Sequence, residues 1–236
     1  MDAARKLNYS PNVNARRLTR KDTNTIAILL PSCVVEGRNI FSDFTLVRML
    51  EGVEEAILKQ EYRLLMVFKS EKFIARREYL RLFHEGSIDG LIIWGYNYLD
   101  NYIDDLRDYP VVLTNSRPLD SAGINFVGHD NFNAARIITQ MAIDKGHRRL
   151  LYIRGSKEVS IAHERYDGFK QAIADSGLPQ DGIDVLGEAD SAETAIEQVR
   201  TCRPDIALLD ISMPGNGIRA AREIAALPTA PRIVMF

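Results

Sequence analysis

The feature that most limits the fold is an alternation. Short runs rich in Val, Ile and Leu are separated, nearly to the end of the chain, by amphipathic stretches of helical length. Apolar runs without strict in-out alternation suit strands buried on both faces, and helical spacers supply the crossovers that parallel pairing demands. This pattern predicts strands at 25–30 (TIAILL), 62–68, 88–94 and 110–115, then a second series at 125–130, 149–155, 184–188, 205–210 and 232–236. Helices fit at 43–60, 73–85, 131–146, 161–177, 191–202 and 217–226. The expected fold class is α/β: two doubly wound parallel-sheet lobes side by side, with their cleft as the default ligand site. A length of 236 residues lets each lobe bury its own core.

Several function classes are disfavoured at once. No run of about 18 apolar residues occurs, and residues 1–24 lack the charged, apolar and small-residue regions of a secretory signal. The expectation is a cytoplasmic protein with no membrane partner. Cys33 and Cys202 are too few and too widely spaced for a disulfide framework, and no Cys or His pair has metal-ligand spacing, so no metal and no cofactor is expected. His84, His129, His147 and His163 show no triad spacing and Gly-rich phosphate loops are absent. An enzyme is therefore not expected, and each His reads as a surface or capping group.

The net charge of -2 argues against a wholesale polyanion binder. It hides a basic front, where Arg5, Lys6, Arg16, Arg17, Arg20 and Lys21 face only Asp2 and Asp22. Such a segment could touch phosphates or be a solvated tail.

One compositional break divides the chain. All aromatic residues but Phe236 lie at or before Phe169, and Lys stops at Lys170. Two explanations stand: a last quarter of different origin, or peripheral helices that need few aromatics.

The segment "LNYSPNVNARRLTRKDTNTIAILLP" closely resembles the hinge of lactose-repressor (LacI/GalR) family regulators, where it leads into the first strand of an effector domain. Similar matches follow in order: "FTLVRMLEGVEEAILKQEY", "SIDGLIIWG", "VGHDN", "KGHRRLLYIRG" and "HERYDGFKQAIADSGLP". The resemblance covers residues to about 180. It implies a periplasmic-binding-protein-like (type I) effector module that closes on a small metabolite, often a sugar or purine, and a parent family that forms homodimers. Arg165 matches the arginine that reaches into the cleft, where its fork suits vicinal hydroxyls or a carboxylate; the alternative is a bridge along helix 161–177. Asp130 and Asn131 would face the cleft or cap the next helix. Phe44 and Thr45 lie near the first-lobe contacts, although an aromatic there is more often core. Leu18 matches a leucine levered into the DNA minor groove, with Arg16 and Arg17 beside it. Only "MDAARK" precedes the hinge where the family has a helix-turn-helix, so operator binding is not expected.

The stretch "DVLGEADSAETAIEQVRTCRPDIALLDISMPGNGIRAAREIAALPTAPRIVMF", residues 184–236, resembles part of a response-regulator receiver domain. Asp210 matches the phosphoacceptor, and Met213 and Pro214 the turn after it, with "MPGNG" one residue shorter than usual. The resemblance implies phosphoryl chemistry, which needs a divalent metal with further oxygen ligands. The strand in first place, 149–155, instead brings Arg154 and Ser156, and the hydroxyl and Lys positions are not found before Phe236. Asp210 is thus expected to lack its metal site.

The domains expected are a hinge remnant (1–24), a first lobe (25–123) and a second lobe (124–236), of which 184–236 is receiver-derived. A seam is placed between 175 and 187, where "SGLPQDGID" offers turn chemistry through Pro179 and Gly182. The leading functional expectation is a non-catalytic, recombined α/β scaffold without full parental activity. The alternatives are a regulator that senses a small ligand and a switch that accepts phosphate at Asp210.

Overall fold

A computed structural model gives the architecture and describes residues 23–32, 34–35, 38–118, 123–154, 158–177, 184–189, 191–211, 213 and 215–235. The chain forms two compact units. The first takes in residues up to Gly95 with Asp100–Thr114 and Ala122–Asn125; the second takes in Tyr96–Leu99, Asn115–Ser121 and everything from Phe126.

The first unit begins with β1 (Thr25–Leu30), followed by the two-residue strands β2 (Val34–Val35) and β3 (Arg38–Asn39), a 3-10 turn at Ile40–Ser42 and α1 (Phe44–Lys59). It continues through β4 (Arg63–Phe68), α2 (Glu71–Ala75), α3 (Glu78–His84), β5 (Gly90–Trp94), a 3-10 helix at Asn101–Leu106 and β6 (Val111–Thr114), and β7 (Asn125–Val127) follows. The sheet order is β4-β1-β5-β6-β7, and β1 pairs in parallel with both β4 and β5. β1 is buried on both faces, as its unbroken TIAILL run requires. The Asp89 carboxylate, one residue before β5, accepts from the Thr23 and Thr25 amides and the Thr23 hydroxyl, which fixes where β1 starts. Asp43 caps α1 and Ser70 caps α2 by accepting from first-turn amides.

The helix expected over 73–85 is broken. Arg77 has a left-handed backbone (φ 52°) and separates α2 from α3. Its guanidinium pairs with Asp105, which also accepts from the buried Tyr79 hydroxyl, so a tertiary contact holds a conformation that Arg does not favour by itself. Burial and the neighbouring Asp105 push the Tyr79 phenol up, while Tyr79 and Arg77 hold the Asp105 carboxyl below its usual range. The β2–β3 pair and both 3-10 segments were not foreseen.

The second unit contains α4 (Asn131–Asp144), β8 (Arg149–Ile153), α5 (Ser160–Asp175), β9 (Asp184–Ala189), α6 (Ala192–Cys202), β10 (Ile206–Leu209), α7 (Gly217–Ala225) and β11 (Arg232–Met235). Its sheet runs β11-β10-β8-β9, all parallel. The strands read at 205–210 and 232–236 therefore join the sheet that holds 149–155. Successive strand residues go to opposite faces. Leu150, Tyr152, Ile206 and Leu208 pack with Phe169, Ala142 and Ile143 of α5 and α4. Leu151, Ile153, Ala207 and Leu209 pack with Ala192, Ala195, Ile196, Ala220 and Ile224 of α6 and α7.

Two glycines permit close approaches. A Cβ at Gly168 of α5 would overlap the carbonyl oxygen of Phe132 in α4, and one at Gly217 would overlap that of Asp210. At the amino end of the sheet, the Asp205 carboxylate accepts from the amides of Arg148 and Arg149 at 3.1 and 3.0 Å. Its own amide donates to Arg149, so side chain and main chain together lock β10 beside β8. The expected turn at 178–183, Cys33 and Ser156 lie outside the described residues; Cys202 is half-buried.

Candidate functional site

In the second sheet the chain leaves β8 for β9 on one side and later returns to β10 on the other. By the general rule for open α/β sheets, this reversal marks the carboxyl ends of β8 and β10 as the place for a ligand. Asp210 stands there, one residue past β10, with its amide 3.3 Å from the Ile153 carbonyl. Its carboxylate is almost buried and accepts from Nη1 of Arg165 at 3.0 Å; the two side chains are 10 % and 20 % exposed. Arg165 reaches this point from the second turn of α5, and its Nε donates to Oδ1 of Asn131 at 3.1 Å. Asn131, the first residue of α4, is itself buried and donates through Nδ2 to the His129 carbonyl and to Glu164 Oε2 at 3.3 Å. Beyond it, Glu164 faces Arg117 at 4.0 Å.

Positive and negative groups therefore alternate along one network: Arg117, Glu164, then Asn131 as neutral relay, Arg165 and Asp210. Ser160, which opens α5, accepts from the Arg117 amide at 2.9 Å. Tyr98 stacks at a tilt on His163 with centroids 5.6 Å apart, and burial pushes its phenol up, partly offset by the Ser160 hydroxyl.

Of the residues singled out in the sequence, Arg165, Asn131 and Asp210 are brought together. Asp130 is a cap: it accepts from the Asn133 amide and side chain, which hold its carboxyl below the usual range. Phe44 and Thr45 belong to the first unit and open α1. The core reading of Phe44 is wrong, since the ring is 75 % exposed and carries the Arg48 guanidinium 5.9 Å from its centroid. His163 is half-buried, with its ring packed on Tyr98. Arg16, Arg17 and Leu18 lie outside the described residues.

Glu164, Arg117, Ser160 and Tyr98 were missed. Glu164 adjoins Arg165 in "HERYDGF", but neighbours in a helix point about 100° apart and do not advertise a shared partner. Among the described residues no three of His, Cys, Asp and Glu gather as a metal set, and no helix is long and apolar enough to cross a membrane.

The family described as periplasmic binding proteins and sugar binding domain of the LacI family matches residues 40–209. The chain belongs to this family. Catabolite control protein A of Priestia megaterium is 26% identical over 204 residues, which cover 84% of this chain and 59% of that protein. The HTH-type transcriptional repressor PurR of Vibrio vulnificus (strain CMCP6) is 26% identical over 205 residues, with the same coverage of 84% and 59%. The chain thus spans about three fifths of the length of these curated relatives. Among solved structures, a transcriptional regulator CelR–cellobiose complex superposes with a TM-score of 0.70 at 21% identity, over 99% of this chain and 70% of that one. At that identity the likeness establishes the α/β, type I periplasmic-binding-protein fold.

The LacI-family match runs through the expected seam at 175–187 and on to Leu209. Residues 184–209, read above as receiver-derived, are matched by the same family as the residues before them. The relatives are transcriptional regulators, which favours the sensing alternative over the recombined, inactive scaffold.

Proposed function

We propose that this chain is the effector-sensing part of a LacI-family transcriptional regulator, and that a small sugar or purine binds at the carboxyl rim of the second sheet with Arg165 as its anchor. One observation carries the reading. The Arg165 guanidinium is held, mostly buried, by acceptors from two other elements at the reversal point of the sheet. A planar fork fixed in this way loses little freedom when it grips a ligand. The relatives agree in kind: one is an HTH-type transcriptional repressor, and one structural neighbour is a transcriptional regulator in complex with cellobiose.

The reading gives Arg165 and Asn131 binding roles and treats Asp210 as their partner in the sheet. The test is a calorimetric and thermal-shift screen of neutral sugars and purine bases on the wild type and on Arg165→Ala. A ligand that saturates the wild type and loses at least tenfold in affinity with Arg165→Ala is the expected result. A ligand bound equally by both proteins, or no saturable ligand in either, overturns the reading.

A further inference from the structure

We propose that Asp210 makes the Arg165 site selective for uncharged ligands bearing adjacent hydrogen-bond donors and acceptors, and against anions such as phosphorylated or carboxylated compounds. This rests on Arg165 being the anchor.

The argument starts from charge. Arg165 reads as an anion receptor if considered alone, because its fork matches carboxylate and phosphate. It is not alone. Asp210 Oδ1 lies 3.0 Å from its Nη1, and the pair is nine-tenths buried on the carboxylate side and four-fifths on the guanidinium side. The other charges in the network repeat the balance, with Arg117 set against Glu164. Along the chain of contacts from Arg117 to Asp210, two guanidinium ions thus face two carboxylates, so the cation that Arg165 offers is already paired.

An anion approaching Arg165 meets a cation already neutralised and must also settle within a few ångströms of the Asp210 carboxylate. Two like charges about 5 Å apart at an effective dielectric constant of about 20 repel strongly enough to cost two orders of magnitude in affinity, so a preference of at least about tenfold survives partial solvent screening. A neutral diol or amide meets the opposite situation. One oxygen accepts from the guanidinium, while the neighbouring O–H or N–H donates to Asp210. Both partners stay satisfied when such a ligand inserts between them. An unprotonated anion has no hydrogen to offer the carboxylate, so Asp210 acts as a filter on the charge of the ligand.

The test uses inorganic phosphate as the anion probe, with sodium chloride matched for ionic strength, on the full chain. Binding is followed by calorimetry and by the unfolding midpoint. The wild type is expected to show no saturable phosphate binding. Asp210→Asn, which keeps size and one acceptor but removes the charge, is expected to bind phosphate at least tenfold more tightly than wild type, and Asp210→Asn with Arg165→Gln is expected to lose that binding. Asp210→Ser serves as a second variant should the first not fold. Matched pairs then follow, ribose with ribose 5-phosphate and glucose with glucose 6-phosphate: any neutral member that binds should exceed its phosphorylated partner by at least tenfold, and the ratio should fall in Asp210→Asn.

Phosphate bound by the wild type as tightly as by Asp210→Asn, or a phosphorylated member preferred by the wild type, overturns the inference while leaving Arg165 as anchor. Phosphate gained in Asp210→Asn but unchanged by the Arg165→Gln addition overturns it as well, because the selectivity then has another source. Failure of the sensing reading shows differently, as neutral ligands indifferent to Arg165→Ala.

Discussion

The two faces of the second sheet are packed by different means, although the strands between them are the same. On one side, Tyr152 stacks on Phe169 at 4.6 Å and meets Tyr166 at 5.5 Å, so that large rings fill the space under α4 and α5. On the other, Ala192, Ala195, Ala207 and Ala220 lie fully buried among Leu, Ile, Val and Met under α6 and α7, with no ring in the cluster. Close packing can be reached either with few large side chains or with small ones that bring helices near the strands. The difference explains the compositional break in the sequence. Phe169 belongs to the last helix of the ring-filled face, and the helices after it serve the alanine face. The aromatic-poor quarter thus supplies the small-residue face of this sheet.

The largest effect that would test this contrast is at Phe169. Phe169→Ala should cost roughly 3–5 kcal/mol, because a stacked ring leaves a cavity that its neighbours only partly fill. Urea unfolding measures it, and a cost below that of a surface substitution would erase the contrast. On the alanine face the damage should come from adding atoms. Ala195→Leu should cost about 1–3 kcal/mol by overpacking, and a neutral result would mean that this face has slack.

The smallest expected effect concerns the strands that both faces share. The amides of Arg149 and Arg148 hold the Asp205 carboxyl below its usual range. A depressed carboxyl contributes stability that is complete above its unfolded value of about 4 and is lost as pH falls through the lower folded value. The unfolding midpoint of the wild type should therefore drop on acidification below about pH 4, and Asp205→Asn should flatten that slope. Because Asp205 is exposed, the loss at neutral pH should stay under about 1 kcal/mol. An unchanged acid slope would mean that the clamp between β8 and β10 adds nothing.

Much of the fold was legible. The runs TIAILL and IALL became β1 and β10 because a strand buried on both faces must be apolar throughout, and such runs stand out against helical periodicity. The break at Arg77 was illegible, since Arg gives no local sign of a left-handed backbone and its partner Asp105 lies far along the chain. At the site, Arg165 and Asn131 were picked out through resemblance to a family. Asp210 was picked out for phosphoryl chemistry, yet the structure shows it joined to Arg165, a pairing that depends on strand order and on no local motif. Glu164 and Arg117 were silent for the same reason.

The contact at Gly168 has a mechanical consequence. With no side chain there, α5 rides directly on the backbone of α4, and the two helices carry Arg165 and Asn131 without any cushion between them. A shift of the guanidinium is therefore passed to the backbone of both helices at once, with the aspartate at the tip of β10 as its fixed neighbour.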